Sequence, residues 1–215
     1  MKGDSSPRHT TSVIGRAVAQ VQPVMRFSTV EHGFTLIEML MVSAMVVIIA
    51  GMGVPLLTST SDAINLGEAA RQVERELQTA RLTAVSANRP MRVRFNCPAA
   101  GQYRMTELIG TPATPAAADS AVNRCSMTPY PFPAADRNPL TRPNNDGPLK
   151  TLSSDVTFQQ STTIEFWPDG SAHATTATTN PWPLIAGTGT NIILVRGTKT
   201  RTIVVNSIGK VQLLP

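Results

Sequence analysis

The stretch Gly33 to Leu57, GFTLIEMLMVSAMVVIIAGMGVPLL, decides the fold. From Met39 to Leu57 it runs for 19 consecutive residues without a charge, which as a helix spans about 28 Å, close to the hydrocarbon thickness of a bilayer. The sequence therefore predicts a membrane-inserted helix over 34–57. Glu38 is the exception within it. A carboxylate in the apolar part of a membrane costs roughly 2.5–3.5 kcal/mol, so a residue of this kind is expected to have a partner and a task.

Working outward to the N-terminus, residues 1–33 mix Ser, Thr, Arg and Pro without periodicity and read as a leader. Lys2, Arg8, Arg16 and Arg26 outnumber Asp4 and Glu31, which places this end in the cytoplasm and the rest of the chain outside it. Translation from Met1 and translation from Met25 both leave the motif intact. No A-x-A-like site follows Leu57, which argues against conventional signal-peptide cleavage.

Working outward to the C-terminus, Gly51, Gly53 and Pro55 weaken the helix, and a kink or a melted turn is expected there. The polar run Thr58–Asp62 follows, where the helix either pauses or leaves the bilayer. Ala63, Leu66, Ala70, Val73, Leu77, Ala80, Ala84 and Ala87 then recur at steps of three and four, so 58–90 reads as an amphipathic helix closed by Pro90. Five of those eight residues are alanine, which favours close packing on a sheet over a coiled coil.

From Met91 the texture is that of short strands. Met91–Asn96 alternates with period two, Gln102–Leu108 does so less cleanly, and Gly101 lies in the turn between them. Further strands are predicted at Val156–Gln160, Thr162–Trp167, Ser171–Thr176, Asn191–Val195, Arg201–Asn206 and Lys210–Leu214, with five-residue turn chemistry at Arg196–Thr200. Residues 110–150 hold eight prolines and no periodicity, and read as an unstructured insertion in the 91–215 domain. The fold class is α+β, a long N-terminal helix packed on an antiparallel β-sheet domain.

The two cysteines, Cys97 and Cys125, lie on the oxidising side of the predicted span and are expected to pair; two separately buried thiols are the alternative. C-terminal to the span there is one histidine, His173, read as a solvated strand residue. This inventory excludes His-based hydrolase triads, zinc sites with several His or Cys ligands and H-E-x-x-H proteases, so no catalytic residue, metal or cofactor is expected. Glu165 and Asp169 read as a strand and a turn residue rather than a catalytic pair. The chain carries a formal +5, with no acid after Asp169, so Arg196, Lys199, Arg201 and Lys210 make the C-terminal end cationic.

Gly33-Phe34-Thr35-Leu36-Ile37-Glu38 followed by an uncharged span resembles the processing site of type IV pilins and of the pseudopilins of type II secretion. Ile164–Gly170 and Ile203–Lys210 resemble, more narrowly, the paired closing strands of the GspH/FimT (FimU) family of minor pilins and pseudopilins. The resemblance implies a pilin-like fold and a prepilin peptidase that cleaves between Gly33 and Phe34 and N-methylates Phe34. It further implies that Glu38 pairs with the Phe34 amine of a neighbouring subunit in the filament, and that the helix loosens near Pro55. The implied setting is the bacterial inner membrane, with the C-terminal domain periplasmic, and the implied partners are other minor pilins or pseudopilins in a hetero-oligomeric filament. DNA-binding members carry G-R-x-R after the closing glycine, where this chain has Gly209-Lys210-Val211-Gln212. A DNA-uptake subunit using Arg196, Lys199, Arg201 and Lys210 is therefore the alternative, and a signal-anchored periplasmic enzyme a remote third.

Overall fold

The structure is a computed structural model that describes residues 33–134, 143–153, 155–175 and 180–214, with backbone only at 53–57. The expected leader up to residue 32 lies outside these residues. The chain divides into two compact units, Met1–Val46 and Val47–Pro215.

In the first unit Gly33–Thr35 are non-helical and exposed, and helix α1 (Leu36–Ala87) begins directly after them. Thr35 is the N-cap: its carbonyl and its Oγ1 accept from the Glu38 N–H at 3.1 and 3.3 Å. The sequence Thr35-x-x-Glu38 thus has capping-box spacing, with the acid at the end of the helix where the dipole favours it.

In the second unit the α1 backbone is helical without interruption through Gly51, Gly53 and Pro55 and through Thr58–Asp62, so neither a melted turn nor a pause divides it. Side chains at 53–57 lie outside the described residues. The helix ends as its sequence predicts. Asn88 turns left-handed at φ 51° and the Arg89 N–H reaches back to the Ala84 carbonyl, a Schellman arrangement with Pro90 beyond it.

Among the described residues nine strands form two antiparallel sheets rather than one. The first has the order β3-β2-β1-β5-β6, from β1 (Met91–Phe95), β2 (Gln102–Glu107), β3 (Lys150–Thr151), β5 (Ile164–Phe166) and β6 (Ala172–Ala174). The second has the order β4-β7-β8-β9, from β4 (Thr157–Gln160), β7 (Thr190–Arg196), β8 (Lys199–Val205) and β9 (Val211–Leu213). Arg196 and Lys199 are already paired in the ladder, so the turn expected over 196–200 shrinks to Gly197-Thr198, with Gly197 at φ 57°.

Leu66, Ala69, Val73, Leu77, Ala80 and Ala84 of α1 share one core with Met91, Val93, Tyr103, Ile164, Phe166, Ile192 and Ile203 from both sheets. Ala80 and Ala84 are fully buried, since a short side chain lets the helix axis approach the sheet. The predicted stripe is correct between Leu66 and Ala84 and frays at Ala63 and Ala87, which are half-buried.

The insertion departs from expectation. Its described residues, 110–134 and 143–150, include a short helix α2 (Ala117–Ser120) and a 3-10 turn at Val122–Cys125, and they cover the outer face of β1 and β2. Because period two puts Met91 and Val93 in the core, Arg92 and Arg94 point outward, as does Arg104 opposite Arg94. The segment lies against these arginines. Arg104 Nε donates to the Gly147 carbonyl at 2.7 Å and its Nη1 to the Cys125 and Ser126 carbonyls, while Arg94 Nη1 donates to the Ala121 carbonyl at 2.7 Å. Arg124 forms a two-pronged pair with Asp146 at 2.5 and 2.7 Å and lies over the Tyr130 ring. Order there comes from polar contacts, not from apolar periodicity.

Candidate functional site

Around the motif, side chains from Phe34 to Met52 stand exposed, with Phe34 at 71% and Leu36 at 79%. This is an apolar helical surface much larger than monomeric proteins leave uncovered. Glu38 is exposed in its midst, one turn into the helix, and forms no ion pair with any described residue. Among the described residues no helix is long and apolar enough to cross a membrane. The predicted run continues through 53–57, outside the described side chains.

The four cations proposed for DNA do not form one cluster. Arg196 Nε donates to Asp62 Oδ1 at 2.8 Å, and its Nη2 lies 3.8 Å from Asp155. Lys199 Nζ donates to the Ser59 carbonyl. These two residues therefore tie the tip of the β7–β8 hairpin to α1. Arg201 borders the same part of the helix, beside Ala63 and Leu66, whereas Lys210 lies beside Gln78, Arg81 and Leu82. The two groups sit about 15 residues apart along α1, or about 22 Å.

Cys97 and Cys125 are joined by a disulfide, with Cα atoms 5.7 Å apart, so the β1–β2 loop is tethered to the insertion. Glu165 and Asp169 are not a catalytic pair. Glu165 is buried between Arg92 Nε and Trp167 Nε1, each at 2.6 Å. Asp169 accepts from the Ser171 N–H and hydroxyl, which hold its carboxyl below the usual carboxylate range.

His173 is not solvated. It is 6% exposed and stacked on Trp167 at 3.7 Å, and its Nδ1 lies 2.8 Å from the Trp182 carbonyl. A carbonyl only accepts, so Nδ1 carries the proton; Nε2 faces the Ser171 hydroxyl at 3.1 Å. Burial of a strand histidine beside two tryptophans could be suspected from Trp167 and Trp182. The carbonyl partner could not.

With this geometry in place, similarity to known proteins becomes interpretable. Residues 69–209 match the family described as type II transport protein GspH. The chain belongs to the GspH family. GspH proteins are pseudopilins and minor pilins, structural subunits rather than enzymes. The match covers most of the buried half of α1, every strand except β9 and the cross-linked insertion, and leaves the Gly33–Glu38 motif outside it. Among solved structures, two crystal forms of the type IV minor pilin FimU of Pseudomonas aeruginosa are similar. One aligns at 14% identity with a TM-score of 0.43, covering 73% of this chain and 92% of FimU. The other aligns at 15% identity with a TM-score of 0.40, covering 70% and 93%. No curated protein sequence matches the chain.

Proposed function

We propose that this GspH-family chain is a subunit of a short bacterial filament, made as an inner-membrane precursor and assembled after cleavage between Gly33 and Phe34. The family's description favours the type II secretion pseudopilus over the related type IV pilus. One observation carries the reading. An exposed apolar helical stretch begins two residues after an exposed, non-helical Gly33-Phe34 bond, and the one acid before Leu57, Glu38, lacks a partner among the described residues.

Each feature then has a role. A peptidase needs an extended, accessible bond, and Gly33–Thr35 supply one. Cleavage creates an amine at Phe34, to be methylated, four residues from Glu38. In the filament the Glu38 carboxylate of one subunit meets the Phe34 amine of its neighbour, which sets register because either charge buried alone is costly. The apolar face packs against equivalent helices of other pseudopilins, and Gly51, Gly53 and Pro55 let the helix bend to fit them. The periplasmic domain faces outward.

Intact mass and N-terminal sequencing of the protein from membranes, with and without the prepilin peptidase, test this reading. A chain beginning at methylated Phe34 only where the peptidase is present is the expected result. An uncut N-terminus in both strains would remove the amine that Glu38 requires, and with it the mechanism.

A further inference from the structure

On the outer face of the first sheet, away from α1, Arg92, Arg94, Asp119, Ser120, Thr163, Thr175 and Trp182 line a cavity of about 110 Å³. Both of its arginines have donors to spare. Arg92 is 2% exposed and commits Nε to Glu165, and the Trp182 ring covers its guanidinium at 4.0 Å. Arg94 commits only Nη1, to the Asp119 and Ala121 carbonyls. Among the described residues nothing accepts from the terminal nitrogens of Arg92, or from Nε and Nη2 of Arg94.

The two acids nearby are already occupied. Glu165 receives Arg92 Nε and Trp167 Nε1. The Asp119 carboxylate receives the N–H groups of Ile109, Gly110 and Ala116 at 2.8, 3.0 and 2.8 Å, so it fixes the loop and does not fill the cavity. Burial, and then the neighbouring Arg92 and Arg124 guanidiniums, hold Arg94 below its ordinary pKa. An anion in the cavity would relieve that strain on the cation.

We propose that this cavity is a binding site for a single carboxylate group. The volume lies well below the roughly 300 Å³ at which sites for drug-sized ligands begin, so it admits one functional group and not a base or a sugar. Guanidinium forks match the planar two-oxygen geometry of a carboxylate. The Ser120, Thr163 and Thr175 hydroxyls add neutral donors at the wall. Arg92 and Arg94 are balanced by Glu165 and Asp119, so a singly charged carboxylate adds less repulsion there than a phosphate dianion would. The carboxylate comes either from an acidic side chain of another protein or from a small free acid. The site does not depend on whether the chain enters a filament.

The chain has two tryptophans, so its indole N–H region holds two signals, and Trp182→Phe identifies the one at the cavity. The full chain in detergent micelles is titrated at constant ionic strength with acetate, with phosphate, and with an end-blocked Gly-Glu-Gly peptide and its Gln counterpart. Acetate and the Glu peptide are expected to shift the Trp182 signal saturably, and Arg94→Gln to weaken both at least tenfold. Thr175→Val, which keeps both arginines and the Arg92–Glu165 pair, weakens them several-fold and serves if the arginine variant does not fold. A Glu peptide at least tenfold tighter than acetate identifies a protein side chain as the source; equal affinity identifies a free small acid. No saturable shift with either carboxylate, a preference for phosphate, equal binding of the Gln peptide, or folded variants that titrate like the parent would each overturn the proposal.

Discussion

Glu76 illustrates how much a single buried residue of α1 constrains. It sits three residues after Val73 and four before Ala80, on the buried stripe, and pairs with Lys150 of β3 at 2.5 Å. Lys150→Met leaves that carboxylate buried alone, and the expected loss is about 3–5 kcal/mol in urea unfolding. Adding Glu76→Leu should recover much of it, and a single variant as stable as the parent would show the pair to be dispensable. Tyr103 lies in the same interior. Burial first, and Glu76 second, push its phenol pKa upward from the ordinary value of about 10. The unfolded chain therefore loses this proton earlier than the folded one. Its contribution to stability is complete below about pH 10 and declines as pH rises beyond that. Tyr103→Phe should flatten the alkaline fall in the urea midpoint between about pH 9 and 11, and an unchanged slope would assign that fall to other groups. The predicted apolar stripe did not include Glu76, since a carboxylate carries no apolar signal. Its partner was not legible, because Lys150 is 74 residues away and no local rule links them.

At the scale of elements, what could be read follows from periodicity. The stripe Leu66–Ala84 and most of the strands carry three-to-four or two-residue repeats, so their existence and type were evident, although the division into two sheets was not. The insertion has no repeat, and its order rests on arginines of β1 and β2 reaching carbonyls some 20 to 40 residues onward, together with the Arg124–Asp146 pair. Proline content alone therefore suggested disorder where polar contacts impose structure. The Cys97–Cys125 bond belongs to this scaffold and spans 28 residues. Replacing both cysteines by serine should cost roughly 3 kcal/mol by loop closure. It should also open the segment between Thr111 and Ala134 to limited proteolysis before the rest of the domain. Cleavage that begins elsewhere at an unchanged rate would mean that the arginines hold the insertion without the cross-link.

For the molecule as a whole, the question is whether its positive charge faces outward to a polyanion or inward to its own helix. Composition gives +5, and the acid-free tail after Asp169 suggested an exposed cationic end. The fold changes that reading, since Arg196 is turned to Asp62 and Asp155 while Lys199 donates to the Ser59 carbonyl, and Lys210 lies far along α1. Phosphate binding gains from clustered cations that release counterions, and cations already matched within the fold contribute little to it. The two roles respond differently to charge reversal. Arg196→Glu sets a third acid beside Asp62 and Asp155, so an inward role predicts a stability loss of about 1–2 kcal/mol, reduced in high salt because Asp62 is partly exposed. Pairing it with Asp62→Arg restores opposite charges across the hairpin and the helix, and should recover most of the loss. A DNA-contacting arginine behaves otherwise: reversal leaves unfolding unchanged, lowers DNA retention, and is not rescued by a change on α1. Thermal unfolding of the parent, the single variant and the double variant at two salt concentrations, with DNA retention measured in parallel, separates the two. Rescue by the swap would mean that the charge of this tail serves to dock the β7–β8 hairpin on the helix.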